Sequence, residues 1–273
     1  MQDFQPGKKQ YLIPQPLLPG ENGRKGKIIK LLAPAPWLRG WGEVKKGREL
    51  KWILRINFIK ASMNDFQSES YTVIVADGIF PQHQIPLDYL KNAKRIICCD
   101  GSTQNLILAG MQPDAIVGDL DSLSDDLATR FADRIFLDES QYTNDLTKAV
   151  SWCNEKGYKD IVIVAGTGKR EDHTIGNISL LAEYTKNMNV LMVTDTGILR
   201  PLLKSSKISS FQGQQVSIFS IDPETKVTSL GLKYPLNRTK INNWWFATLN
   251  ESLGDSFSLE FDQGRVIVYL KFS

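Results

Sequence analysis

Two aspartates separated by a single residue, Asp119 and Asp121, stand in Gly118-Asp119-Leu120-Asp121-Ser122, which follows the short apolar run Asp114-Ala115-Ile116-Val117. The run reads as a buried strand, and residues two apart on a strand point to one side. The pair is therefore expected to aim both carboxylates into one crevice at the strand's carboxyl end, where open α/β sheets bind ligands. Like charges so close oppose each other's ionisation unless a cation lies between them. A hard, oxygen-preferring ion such as Mg²⁺ meets that demand, with substrate phosphates completing its shell. The same residues also suit a polar turn, with Ser122 or Ser124 capping the next helix, so context decides between the two.

The context is rich in acids. Asp77 and Asp100 also end apolar, β-branched runs, so a parallel sheet would deliver them to the same edge. Asp145 opens a helical period within Gln141-Tyr142-Thr143-Asn144-Asp145; taken alone it suits an N-cap. The stretch Gly166-Thr167-Gly168-Lys169-Arg170-Glu171-Asp172-His173 follows a core strand and enters a helix. Its glycines free backbone N–H groups for phosphate, the helix N-terminus favours an anion, and Arg170 offers a planar fork. It is not a Walker A loop, because no Ser or Thr follows Lys169, and no GxGxxG follows any strand. Arg170 with Asp172 would also serve as a local surface ion pair, and His173 as a helix-end histidine. Acids plus an anion loop fit Mg²⁺-dependent transfer from a nucleoside triphosphate, which rests mainly on positioning and charge neutralisation.

The elements that must hold these groups alternate in the sequence. Strands are expected at 71–76, 95–99, 114–118, 134–137, 160–165 and 189–194. Helices are expected at 87–93, through Leu106 to Ala109, and at 123–132, 145–155 and 174–186, with 166–173 as a loop. Such alternation means a largely parallel sheet flanked by helices. After Asp195 short alternating strands take over at 216–220, 227–230, 245–249, 256–261 and 265–272, which reads as an all-β sandwich or roll. The domains are thus 1–62, a leader; 63–195, an α/β catalytic domain suited to ATP; and 196–273, a β-rich domain.

The 273 residues are 42% hydrophobic and 23% charged, ordinary for a globular protein with a sizeable core. The net charge of +3 hides an asymmetry: residues 1–62 carry +9 and the remainder −6. That leader holds 6 of the 12 prolines, and is read as a disordered or dispensable tail, or an over-extended start before Met63. A basic arm touching nucleic acid is the alternative. Cys98, Cys99 and Cys153 fall on a strand and a helix face, the pattern of reduced, buried thiols. With no secretory leader and no apolar run of spanning length, the chain is expected to be cytoplasmic, without membrane or nucleic-acid partners.

The ordered set Asp100-Gly101-Ser102, Gly118-Asp119-Leu120-Asp121-Ser122, Gln141 to Asp145, and Gly166 to His173 with Asn177 resembles the thiamine pyrophosphokinase family over roughly residues 71–272. The resemblance implies a homodimeric enzyme that moves the β,γ-pyrophosphoryl group of ATP to the hydroxyl of thiamine and releases AMP. It implies that Asp119, Asp121 and Asp145 hold Mg²⁺. It implies that Asp100, Gln141, Arg170, Asp172 and Asn177 line the ATP site, with Thr143 and His173 in the same motifs. Asp100, Arg170 and Asp172 join the metal-binding acids as candidates for the chemistry. The family's Asp-Gln stands here as Ser140-Gln141, its Thr before the third acid as Asn144, its Gly-Gly-Arg as Gly168-Lys169-Arg170, and its late Ser-Asn as Leu249-Asn250. Trp244, Trp245 and Asn250 are the thiamine-site candidates, since an aromatic face suits a cationic thiazolium; one of the two tryptophans is expected in the β-domain core. A different metal-dependent phosphoryl transferase or hydrolase with the same acids is the alternative enzyme.

Overall fold

The computed structural model describes residues 70–272, and the expectations for residues 1–62 lie outside them. The first half alternates as β1 (Thr72–Val75), α1 (Gln84–Lys91), β2 (Arg95–Cys99), α2 (Thr103–Leu108), β3 (Ala115–Gly118), α3 (Asp125–Arg130), β4 (Ile135–Leu137), α4 (Asp145–Glu155), β5 (Asp160–Val164), α5 (Glu171–Tyr184) and β6 (Asn189–Val193). Strands β6-β5-β1-β2-β3-β4 pair in that order, all parallel. A parallel strand covered on both faces must be apolar at every position, and every residue of β5 is buried. Alternate side chains then divide between two cores. Ile74, Ile97 and Ile163 meet Leu146, Ala149 and Val150 of α4 and Leu181 of α5 on one face. Val73, Cys98 and Val162 meet Tyr89 of α1, Leu106 of α2 and Leu127 of α3 on the other.

The second half is β7 (Gly197–Leu202), β8 (Ser206–Ser209), β9 (Gln215–Ser220), β10 (Lys226–Leu230), β11 (Thr239–Lys240), β12 (Asn250–Glu251), β13 (Ser256–Glu260) and β14 (Val266–Lys271). It does not form a separate sheet pair. β7 pairs antiparallel with β6, and β14, β9 and β12 follow, so one sheet of 10 strands runs the length of the described residues. A second sheet, β11-β10-β13-β8, packs over its far end. Ile218 and Val268 of the large sheet interlock there with Ile208, Val227, Phe257 and Leu259 of the small one. The expected boundary near residue 195 falls where parallel pairing turns antiparallel, not at a break in the sheet. Arg265 forks onto Asp222 and also reaches Glu183 near the end of α5, tying that helix to the sandwich.

Two local expectations are corrected. Helix α5 starts at Glu171, three residues before the expected start at Thr174, because Glu171 and Asp172 favour a helix's first turn and Arg170 is extended at the N-cap. Residues 245–249 are not a strand. Asn243 Oδ1 accepts hydrogen bonds from the N–H groups of Trp245 and Phe246, both at 3.1 Å, which winds 244–247 into a turn. No helix of the described residues is long and apolar enough to cross a membrane.

Candidate active site

Strand β3 ends at Gly118, so Asp119 and Asp121 lie beyond it and strand alternation does not orient them. Leu120 between them takes a left-handed φ of 69°, an uncommon conformation for a residue with a side chain. This turn brings Asp119 and Asp121 to Asp100, with one carboxylate oxygen of each within 4.8 Å of the others. Asp100 opens a one-turn 3₁₀ segment after β2, Asp100–Ser102. The Ser102 hydroxyl lies 2.7 Å from the carbonyls of Val75 and Cys99 and pins that turn. Gly118 makes room, since a Cβ there would sit 2.9 Å from Asp100 Cγ.

Asp145 joins through an intermediary. The N-cap of α4 is Asn144, whose Oδ1 accepts from Thr147 N at 2.9 Å, so Asp145 is released from the capping role expected of it. Its carboxylate instead takes a 2.9 Å hydrogen bond from Lys148, whose ammonium donates equally, at 2.9 Å, to Asp119. Lys148 is buried, at 3% exposure, on a face that otherwise packs Leu146, Ala149 and Val150 into the core. Sequence reading missed it. The available signal was a lysine at i+3 from an acid on an apolar helix face.

The anion loop is held against this cluster. Gly78 N donates to the carbonyl of Ala165 at 2.6 Å and Ile79 N to that of Thr167 at 2.9 Å, so the loop after β1 is sewn to the loop after β5. Lys169 pairs with Asp77 at 2.6 Å. A Cβ at Gly101 would lie 2.9 Å from Asp77 Cγ, which puts Asp77 beside the Asp100 turn. Asn177 donates to the carbonyl of Gly166 at 2.9 Å and accepts from Asn144 at 3.0 Å, bridging the loop to the start of α4. Arg170 and Asp172 are exposed and paired with each other; His173 is exposed, its N–H on Asp172. Gln141 and Thr143 are exposed on the segment preceding α4.

A cavity of about 560 Å³ adjoins the loop, with Ile79, Gly168, Asp195, Phe219, Trp244 and Tyr269 among its walls. Asp195 shapes it by accepting hydrogen bonds from the N–H groups of Gln82 and His83. Trp244 stands edge-on to Phe219 with centroids 5.8 Å apart, and Trp245 is 74% exposed. Neither tryptophan lies in the core, because the turn at 244–247 carries both to the rim. Asn250, by contrast, is buried, and its amide pairs with the backbone of Tyr234 and Glu251.

The cluster fits a divalent cation. Asp100 Oδ2 and Asp119 Oδ1 are buried with no hydrogen-bond partner, and buried polar atoms without partners call for an explanation. Hard carboxylate oxygens gathered this closely are what Mg²⁺ takes. The Lys148 hydrogen bond holds Asp119 below the usual carboxylate range. Burial, with Asp145 and Asp119 adding repulsion, pushes Asp100 above it. Burial alone would lower Lys148, but its hydrogen bonds to Asp119 and Asp145 outweigh that and keep it protonated. The Arg170 hydrogen bond brings Asp172 down to about 2.

The raised Asp100 has a signed consequence. Its folded pKa exceeds its unfolded one, so the folded state holds the proton longer and loses stability as pH climbs from the ordinary carboxylate value through the raised one. Asn at this position keeps the acceptor for Gly101 N and presents N–H groups to the neighbouring acids. In chelator, Asp100→Asn is expected to melt a few degrees above the parent at pH 8 and no higher at pH 4. Thermal denaturation at the two pH values checks it; equal or lower melting at pH 8 would contradict the assignment.

Comparisons with known proteins place the chain among relatives. The family profile described as thiamin pyrophosphokinase, catalytic domain, matches residues 87–193, and that described as thiamin pyrophosphokinase, substrate-binding domain, matches residues 197–269. A thiamine pyrophosphokinase of Bacillus subtilis (strain 168) is 30% identical over 179 residues, 62% of this chain and 82% of its own length. A thiamin pyrophosphokinase 1 of Caenorhabditis elegans is 28% identical over 159 residues, 53% of this chain and 65% of its own length, just under two thirds. Among solved structures, the Bacillus subtilis thiamine pyrophosphokinase superposes with a TM-score of 0.63 at 22% identity, covering 74% of this chain and 99% of that one. The yeast thiamin pyrophosphokinase gives 0.65 at 17%, covering 78% and 90%. At these identities the structural likeness establishes the fold.

Proposed function

The chain belongs to the thiamine pyrophosphokinase family, and on that premise we propose that it transfers the β,γ-pyrophosphoryl group of ATP to the hydroxyl of thiamine, giving thiamine diphosphate and AMP. The observation that carries this reading is the convergence of Asp100, Asp119 and Asp121, two of them with buried oxygens that lack partners. Asp119, Asp121 and Asp145 are the Mg²⁺ ligands the resemblance implies; the nearness of the Asp100 carboxylate to those of Asp119 and Asp121 supports a share for Asp100, while Asp145 meets the group through Lys148. Bound Mg²⁺ would neutralise phosphate oxygens and so favour attack at phosphorus.

The chain's own groups do the rest. The glycine loop at 166–169 and the start of α5 suit phosphate binding, with Gly168 N at present donating to the Thr174 hydroxyl at 3.2 Å. Arg170 exchanges its exposed partner Asp172 for phosphoryl oxygens, a bidentate contact that lysine cannot copy. The cavity beside the loop is roomy enough for a heteroaromatic ring, and Trp244 and Tyr269 give it aromatic walls. Trp245, Phe246, Leu249 and Tyr234 are exposed close together, an apolar surface that supports a homodimer. The buried free thiols of Cys98, Cys99 and Cys153 support a reducing, cytosolic setting.

The test is a product assay. Protein incubated with Mg²⁺, ATP and thiamine should yield AMP and thiamine diphosphate in equal amounts, followed by ³¹P NMR. Production of ADP with thiamine monophosphate would overturn the reading.

A further inference from the structure

Lys148 stands where two ordinary preferences oppose it. It is buried, although a lysine is almost never fully buried unpaired. It also lies in the opening turns of α4, where the helix dipole disfavours a cation. Only its partners offset those costs: Asp119 from the end of β3 and Asp145 from its own helix, each 2.9 Å away. The same Asp119 shares the three-carboxylate group with Asp100 and Asp121. The Asp100 oxygen left without a partner, on a residue only 2% exposed, marks that group as open to a further ligand.

We propose that Lys148 is the built-in counter-ion of the acidic site: a positioning residue that holds Asp119 and Asp145 in one frame while weakening the site's grip on a free divalent ion. Asp100, Asp119, Asp121 and Asp145 together carry more negative charge than one dication cancels. The ammonium removes part of that excess, so the empty site does not fill tightly with free metal, and the ion enters favourably with the triphosphate that brings further ligands. One side chain therefore has two effects of opposite sign. Its loss should strengthen binding of free metal through the unmasked charge. It should also slow turnover, because Asp119 and Asp145 lose their common anchor. A lysine that merely braced the fold would give losses in both.

The experiment uses the full chain and Mn²⁺ alone, followed by electron paramagnetic resonance without nucleotide or thiamine. Lys148→Met should bind Mn²⁺ on the order of tenfold more tightly than the parent, while turnover with Mg²⁺, ATP and thiamine falls about 10²-fold. Lys148→Arg, which keeps the charge and is the safer variant for folding, should stay within about twofold of the parent for Mn²⁺. Unchanged or weaker Mn²⁺ binding in Lys148→Met would overturn the proposal, as would tightening in Lys148→Arg. The turnover arm rests on the pyrophosphokinase reading; the Mn²⁺ arm does not. A parent that makes no AMP would therefore sink that reading and leave the binding comparison to judge Lys148.

Discussion

Asp121→Asn should lower turnover about 10³-fold, the scale on which loss of one preorganised electrostatic group is felt, and leave the fold intact. Asp121 is exposed, and its side chain takes a 2.9 Å hydrogen bond from Ser122 and contributes nothing to the core. The substitution keeps shape and an acceptor oxygen but removes the charge that, with Asp100 and Asp119, suits the site to a dication. The loss should lie mainly in kcat and be eased only in part by raised Mg²⁺. Steady-state kinetics across a Mg²⁺ titration, beside circular dichroism of both proteins, makes the measurement. Turnover within threefold of the parent, with the fold unchanged, would remove Asp121 from the reaction.

Gly78→Ala is expected to be the most damaging single methyl near the site. A Cβ there would lie 2.3 Å from the carbonyl oxygens of both Ala165 and Thr167 and 2.8 Å from Thr167 N. Those are backbone atoms, so no rotamer change relieves the clash. The loop after β1 would have to part from the loop after β5, breaking the hydrogen bonds from Gly78 N and Ile79 N. Overpacking of this kind costs about 1–3 kcal/mol. The same separation displaces Ile79 and Gly168, which wall the cavity, and shifts the anion loop. A displacement of an ångström in positioning groups is worth about 10²-fold, and it should appear as a raised KM for ATP with reduced kcat. Urea denaturation and ATP kinetics on the same protein test both halves. A variant with parental stability and parental KM would mean that the two loops are not rigidly joined.

What the chain alone determined, and what only folding decided, divide along a physical line. Local periodicity is written in neighbouring residues, so the alternation of apolar strands with amphipathic helices, and the acids at 77, 100, 119 and 121 trailing those strands, were legible directly. So was α4, whose span from Asp145 to Glu155 matches its pattern. Competition between neighbours for one role was harder to read: Asn144 rather than Asp145 caps α4, and Asn243 winds into a turn a stretch that looked like a strand. Pairings between distant segments were not legible at all. The antiparallel join of β7 to β6, which carries one sheet across the change in texture near residue 195, is an example. Lys148 reads as one more polar residue on a helix until packing of α4 against the sheet carries it to Asp119, 29 positions earlier in the chain. Burial removes water as an alternative partner, and that is why tertiary structure, rather than composition, chose which charges meet.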